Sequence, residues 1–299
     1  MVFVEVTHWS GGLKRELHLE LGERPLLRGE QGAEFRLYRA VKGGGNGVVF
    51  QAQRRAAGGE IDVCAVKALR QLDATRVDRF ANERRILSRL NHRRIAAYYD
   101  AGAIEVEAGV RTLWMAMDLG GDNLRQHVQE RGPLRPGLLR RVALQLCEAV
   151  QYVHEADLIH RDLKPDNLVW VGDCAAGEIK LIDFGIAKFN GEDVSGRPLD
   201  DFTRTDEFIG PLFYSSPELI AYATNKAHPV DHRSDLFQLG KVLWFLGTGR
   251  VSAGIPFRGQ DPTGGLLHAL VMELVTDEPN ERLDSANVIA GRIQRWEVD

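Results

Sequence analysis

The stretch His160-Arg161-Asp162-Leu163-Lys164-Pro165-Asp166-Asn167 gathers a carboxylate, a cation and a carboxamide within a few residues of one another. Phosphoryl transfer asks for that set: a carboxylate beside the attacking hydroxyl, oxygen ligands for a divalent cation, and positive charge where the phosphoryl group becomes most negative. Asp162 and Asn167 are five positions apart on what reads as a turn running into a strand, so both side chains can face one site. Lys164 supplies the charge. Sixteen residues beyond Asn167, Asp183-Phe184-Gly185 follows the apolar run at 179–182. A carboxylate at a strand end is well placed for a hard cation.

The octet matches, residue for residue, the catalytic loop of eukaryotic-type (Hanks-type) serine/threonine protein kinases, and the triplet matches their magnesium-binding motif. The chain resembles that family over roughly residues 35–290, with an Ala-, Arg- and Gly-rich composition that suggests a bacterial member. The resemblance implies ATP and Mg2+, and a Ser or Thr hydroxyl of a protein substrate as acceptor. Asp162 would orient that hydroxyl, Lys164 would stabilise the γ-phosphoryl group, and Asn167 and Asp183 would hold magnesium. Lys67, in Ala65-Val66-Lys67, would hold the α- and β-phosphates and pair with Glu83 of the following helix. As residues alone, Lys67 reads equally as an edge-strand lysine and Glu83 as a surface carboxylate.

The run Val41 to Phe50, VKGGGNGVVF, is similar to the family's Gly-rich loop, with Gly43, Gly44, Gly45 and Gly47 letting backbone N–H groups approach phosphate. Aligned back from Val49, the three glycine positions fall on Lys42, Gly44 and Gly47, so the first is a lysine. By the same resemblance Met117 is the gatekeeper, the backbone of Asp118 and Gly120 bonds adenine, and Val49, Ala65 and Val169 sandwich its ring. Those last three also read as plain core.

An activation segment would run from Asp183 to Ser216-Pro217-Glu218, with Glu218 paired to Arg282 and Asp235 bonding the backbone of the catalytic loop. Within it Pro211 stands where the family carries a threonine, and proline offers neither a hydroxyl nor an N–H. Arg161 ahead of Asp162 is the arrangement associated with control by phosphorylation, for which Thr203 and Thr205, then Ser195, are the candidate acceptors. The acidic neighbours Asp200, Asp201, Asp206 and Glu207 oppose such a phosphate unless basic residues converge on it.

These residues need a scaffold, and the periodicities describe one. Alternation at 16–21, 35–40, 48–53 and 61–69 predicts strands, separated by glycine breaks at 43–45 and 58–59. Over 74–90 the period changes: Val77, Phe80, Ile86, Leu87 and Leu90 predict an amphipathic helix. Strands follow at 101–106 and 112–117. Beyond Gly120 the pattern is mostly helical, at 138–156 and in the buried helix 234–246, with short strands at 167–171 and 179–182. The expected fold is α+β and bilobal, with a small β-rich N-lobe holding one helix and a larger, mostly helical C-lobe. Residues 1–34 are read as an extension of one or two strands packed on the N-lobe, 35–117 as the N-lobe and 118–299 as the C-lobe. Residues 190–207, polar and acidic, are read as a long mobile loop.

Composition narrows the alternatives. The chain is 44% hydrophobic and 27% charged with a net charge of −4, an ordinary globular balance that offers no case for nucleic-acid binding. Cys64, Cys147 and Cys174 form no C-x-x-C pair; the first two read as buried small hydrophobes. The first ten residues lack the pattern of a secretion signal, and no apolar run approaches the roughly 20 residues that cross a bilayer. A cytoplasmic protein acting on other proteins, with no membrane partner, is the expectation; oligomeric state is open. Two alternatives stand beside catalysis: a pseudokinase serving as a nucleotide-binding scaffold, and a kinase of a small molecule.

Overall fold

The computed structural model describes residues 3–10, 13–20, 24–43, 47–56, 58–172, 174, 177–189, 213–225, 227–252 and 254–298. The chain divides into two compact units, Met1–Leu119 and Gly120–Asp299.

In the first unit a six-stranded antiparallel sheet has the order β3 (Leu26–Arg28), β4 (Glu34–Gly43), β5 (Gly47–Arg55), β6 (Ile61–Leu69), β9 (Val110–Asp118), β8 (Tyr98–Glu107). Side chains alternate between the faces of a strand, and the burial follows: Val48, Phe50 and Ala52 of β5 meet Val66 and Ala68 of β6 on one face, with Phe35, Leu37 and Trp114. Phe35 and Trp114 pack edge to face at 5.3 Å. Full burial of a side chain of this size contributes about 2–3 kcal/mol. A second sheet, β2 (Leu13–Glu20), β1 (Phe3–Ser10) and β7 (Gln71–Leu72), adds Val4 and Val6 to that same core. The 1–34 segment thus carries three strands, two of them in a hairpin that pairs with β7.

Helix α1 (Ala74–Leu87) starts where the Asp73 carboxylate accepts from Arg76 N–H at 3.0 Å, a side-chain cap for an orphan donor of the first turn. It ends three residues earlier than the apolar period suggests. Arg89 and Leu90 N–H bond the carbonyls of Ile86 and Leu87, at 3.0 and 3.3 Å, which tightens the last turn while Leu90 stays buried. The period therefore reports packing beyond the point where the helical ladder stops.

The second unit holds α2 (Leu124–Arg131), α3 (Pro136–Glu155), α4 (Pro217–Thr224), α5 (Arg233–Thr248), α6 (Leu266–Leu274) and α7 (Ala286–Gln294) among its described residues. Helix α5 is buried at nearly every position, as an all-round apolar helix must be. Two small antiparallel strand pairs, β10 (Leu158–Ile159) with β13 (Lys188–Phe189) and β11 (Leu168–Trp170) with β12 (Ile179–Leu181), lie about the 160–167 stretch, which runs from β10 to β11. Cys64 and Cys147 are buried free thiols, each pushed up to about 12 by loss of water. Among the described residues, no helix is long and apolar enough to cross a membrane.

Candidate functional site

In the first unit, strand pairing decides which side chains share a face. Lys67 lies opposite Val49, and Ala65 opposite Met117. Val49, Ala65, Lys67 and Met117 therefore stand together on the face turned away from Phe50 and Val66. Strand β6 is flanked on both sides by β5 and β9, so Lys67 is not an edge-strand residue. Its Nζ donates to both carboxylate oxygens of Glu83 of α1, at 2.8 and 2.6 Å, and Glu83 is buried. That pairing fixes an ammonium group on a rigid strand. Lys42 and Gly43 pair with Val49 and Val48 at the end of the β4–β5 hairpin, whose tip, including Gly44 and Gly45, lies outside the described residues. At Gly47 a β-carbon would come within 2.9 Å of the Ala68 carbonyl oxygen, so this position admits no side chain without a backbone shift.

Asp118 turns its side chain back into the sheet: its carboxylate accepts from Ala97 N–H at 2.9 Å and from the Tyr99 hydroxyl, and its own N–H goes to the Ala97 carbonyl. Burial, then the Asp118 charge, hold the Tyr99 hydroxyl above its usual range.

In the second unit, Gly120 passes over Val169 so closely that a β-carbon would fall 2.4 Å from its methyl group. The Gly121 N–H then bonds the Trp170 carbonyl at 2.8 Å, which lays this segment against β11.

The 160–167 stretch ends in a 3-10 turn, Pro165–Asn167, and it folds its polar groups inward. Lys164 Nζ donates to the two Asp162 carboxylate oxygens at 2.9 and 2.7 Å. Asn167 Nδ2 donates to the Asp162 backbone carbonyl at 2.9 Å and to its carboxylate at 3.0 Å. Burial alone would lower the Lys164 ammonium, but the Asp162 charge beside it outweighs burial and holds it raised. The Ile182 N–H reaches the Asn167 carbonyl at 2.9 Å, which brings the start of Asp183-Phe184-Gly185 to the same loop.

What holds this loop is α5. The fully buried Asp235 carboxylate accepts from His160 N–H and Arg161 N–H, each at 2.8 Å, and contacts His154 Nε2 at 2.8 Å. Burial favours a neutral Asp235; the His154 bond and the backbone donors overcome that and keep it ionised. Gln238, one turn on, accepts from Leu163 N–H and donates to the Arg161 carbonyl, both at 3.0 Å. Arg161 and Asp183 both sit at positive φ, 67° and 66°. Such backbone costs on the order of 1–3 kcal/mol per residue and persists only where the surroundings impose it. Asp235 and its backbone bonds agree with the sequence reading, whereas Gln238 and His154 escaped it. A polar residue one turn beyond Asp235 in a helix otherwise built to be buried was the available signal.

His160 is buried with its ring against Phe184, centroids 4.7 Å apart. Its Nδ1 accepts from Asp162 N–H at 3.2 Å, so protonating Nδ1 would break that bond. Burial lowers its pKa below the ordinary 6.5 in spite of the Asp235, Asp162 and Asp183 charges. Below about pH 6.5 the unfolded chain therefore takes up a proton that the folded chain refuses, and stability falls with acidity by at most about 1.4 kcal/mol per pH unit. The melting temperature of wild type is expected to drop more steeply from pH 6.5 to 5 than that of His160→Leu. Parallel slopes in the two proteins would dismiss this account.

Three further contacts lie in this unit. Arg125 Nε donates to Asp166 at 2.6 Å, and its guanidinium lies over the Tyr214 ring. Glu218 and Arg282 form the expected pair, two-pronged at 2.6 and 2.9 Å and buried. Arg161 lays its guanidinium over the Tyr222 ring at 5.0 Å. Ser195, Thr203, Thr205 and Pro211 lie outside the described residues.

Comparison with known proteins adds the following. Residues 35–286 match the family model described as the protein kinase domain. The chain is 32% identical over 246 residues to a probable serine/threonine-protein kinase of Corynebacterium efficiens, covering 82% of this chain and 34% of that protein. It is 31% identical over 251 residues to the probable serine/threonine-protein kinase PknB of Corynebacterium glutamicum, covering 84% and 35%. With serine/threonine-protein kinase pkn3 of Myxococcus xanthus it shares 32% identity over 251 residues, covering 82% and 42%. The chain thus spans between about a third and two fifths of the length of these relatives.

Proposed function

The chain belongs to the protein kinase domain family, and from that premise we propose that it transfers the γ-phosphoryl group of ATP to Ser or Thr hydroxyls of protein substrates, with Mg2+ as the accompanying cation. The observation that carries this reading is the Asp162 carboxylate held between Lys164 and Asn167. The relatives' names support the Ser/Thr acceptor, as does Lys164 at its place in the loop.

Asp162 accepts a hydrogen bond from the acceptor hydroxyl and takes its proton as the new P–O bond forms and the bond to the β-phosphate oxygen breaks, releasing ADP. Lys164, already bonded to Asp162, offers its remaining charge to the transferred group. Lys67, steadied by Glu83, binds the α- and β-phosphates.

The donor set fits magnesium. Asn167 spends its amide nitrogen on Asp162, which leaves its amide oxygen as a hard ligand, and the Asp183 carboxylate, next after the Ile182 that bonds the Asn167 carbonyl, would be the second. Among the described residues no three His, Cys, Asp or Glu side chains gather as a metal cage, and magnesium on a nucleotide needs none, because phosphates and waters complete its shell. Bound there, the ion would neutralise charge developing on the phosphates.

Incubation with γ-labelled ATP, Mg2+ and a generic basic protein tests the reading: label on Ser or Thr is expected, on the added protein and on the chain itself at Thr203, Thr205 or Ser195. ATP binding without any label transfer would overturn it in favour of a scaffold. Glu83→Gln keeps the side chain's shape but removes the charge that holds Lys67. It is expected to lower kcat/KM about thirtyfold, equivalent to about 2 kcal/mol, with the fold intact by circular dichroism. A loss under about twofold would remove Glu83 from the mechanism.

A further inference from the structure

The family match begins at residue 35, yet the segment before it is fastened to both ends of α1. We infer that strand β1 and the turn over residues 29–33 form a positioning element that sets the rotation of α1 and with it the seating of Glu83 on Lys67; this rests on the phosphoryl-transfer reading above.

At the entrance to the helix, β1 runs parallel to β7, with Thr7 opposite Gln71 and His8 opposite Leu72, the residue before the Asp73 cap. Thr7 N–H bonds the Arg70 carbonyl at 2.6 Å. Arg70 answers through its guanidinium, which reaches the Glu5 carboxylate at 2.5 Å and the Glu5 carbonyl at 3.2 Å. Val4 and Val6, buried in the core, keep β1 in register.

At the exit, a turn over residues 29–33 sits on β8. Glu30 N–H bonds the Ala101 carbonyl at 2.9 Å, and Gln31 N–H meets both carboxylate oxygens of the buried Asp100 at 3.1 Å. The approach is close enough that a β-carbon on Gly29 would fall 1.9 Å from an Asp100 oxygen. From this turn the Glu30 carboxylate meets the two terminal nitrogens of the Arg84 guanidinium, one of them at 3.1 Å. Arg84 directly follows Glu83. A helix tied at one end can still turn about its axis; tied at both, its direction and rotation are set, and the Glu83 carboxylate stays aimed at Lys67.

The segment also covers apolar surface, through Val4 and Val6, so deleting it would confound positioning with stability. The Glu30–Arg84 pair separates the two. Its side chains are 53% and 39% exposed, and a pair so wet contributes little to stability. In the chain of residues 1–299, Glu30→Arg and Arg84→Glu are each expected to raise KM for ATP and lower kcat/KM about fivefold, with melting temperatures close to wild type. The double reversal, which rebuilds the pair with opposite polarity, is expected to return kcat/KM to within about twofold. Gly29→Ala, which lifts the same turn without altering charge, shifts kcat/KM in the same direction. Affinity for a fluorescent ATP analogue, measured on the same variants, follows the same order and does not depend on turnover. Absence of label transfer in wild type would sink the kinase reading, and the analogue affinities would still decide the positioning role. Unchanged single variants, or a double reversal no better than either, would overturn it.

Discussion

Replacing Asp162 by asparagine is expected to lower kcat about 10³-fold while nucleotide affinity stays within about threefold of wild type. Asparagine keeps the volume and one acceptor oxygen, so Lys164 retains a partner and the loop retains its shape. What disappears is the carboxylate that the proposed mechanism uses to take the proton. A positioned base contributes about 10² to 10⁴ in rate, and the Asp162 charge also holds the Lys164 ammonium raised against the pull of burial. Isothermal titration with ATP and Mg2+ beside label-transfer rates separates the two effects. Loss of both affinity and turnover would mean a collapsed loop, and retention of turnover would take Asp162 out of the chemistry.

The second large effect lies away from the reacting atoms. Glu218 at the start of α4 and Arg282 form a buried pair, and Arg282 also donates to the carbonyls of Thr276, Arg233 and Asp277 and covers the Phe237 ring at 5.0 Å. Removing one partner strands a charge without water, which costs about 3–5 kcal/mol. Glu218→Ala and Arg282→Ala are each expected to lower the melting temperature by roughly 10 °C. Replacing both, Glu218→Leu with Arg282→Met, is expected to recover at least half of that loss, because an apolar pair of similar volume removes the stranded charge. A drop of less than about 2 °C in the single variants would show that water reaches the pair.

Much of this arrangement was legible in the sequence because it is written in local patterns. Strand β6 coincides with the alternating run at 61–69, and α5 with the apolar helix, to within a residue or two at each end. The spacing from Asp162 to Asn167 placed both on one turn, where Asn167 does reach Asp162. What stayed hidden depends on partners far along the chain. Nothing near His154 says that it meets Asp235, and polar Gln238 in a buried helix signals a buried partner without saying that it is the backbone of residues 161–163. The end of α1 at Leu87 was hidden because the apolar period runs on through Leu90. Strand β7 is two residues long and exists only because β1, more than sixty positions earlier, lies beside it. Glu30 looks like an ordinary surface carboxylate until the fold sets Arg84 against it.

The attachment of the loop to α5 also bears on synthesis. Chains leave the ribosome from the N-terminus at roughly 5–20 residues per second. The amides of His160 and Arg161 wait for an acceptor on Asp235, 75 and 74 positions downstream. For on the order of 4–15 seconds of translation the nascent chain carries Asp162, Lys164 and Asn167 with no α5 to order them. The loop that carries Asp162, Lys164 and Asn167 therefore takes its final hold only after Asp235 of α5 has been made.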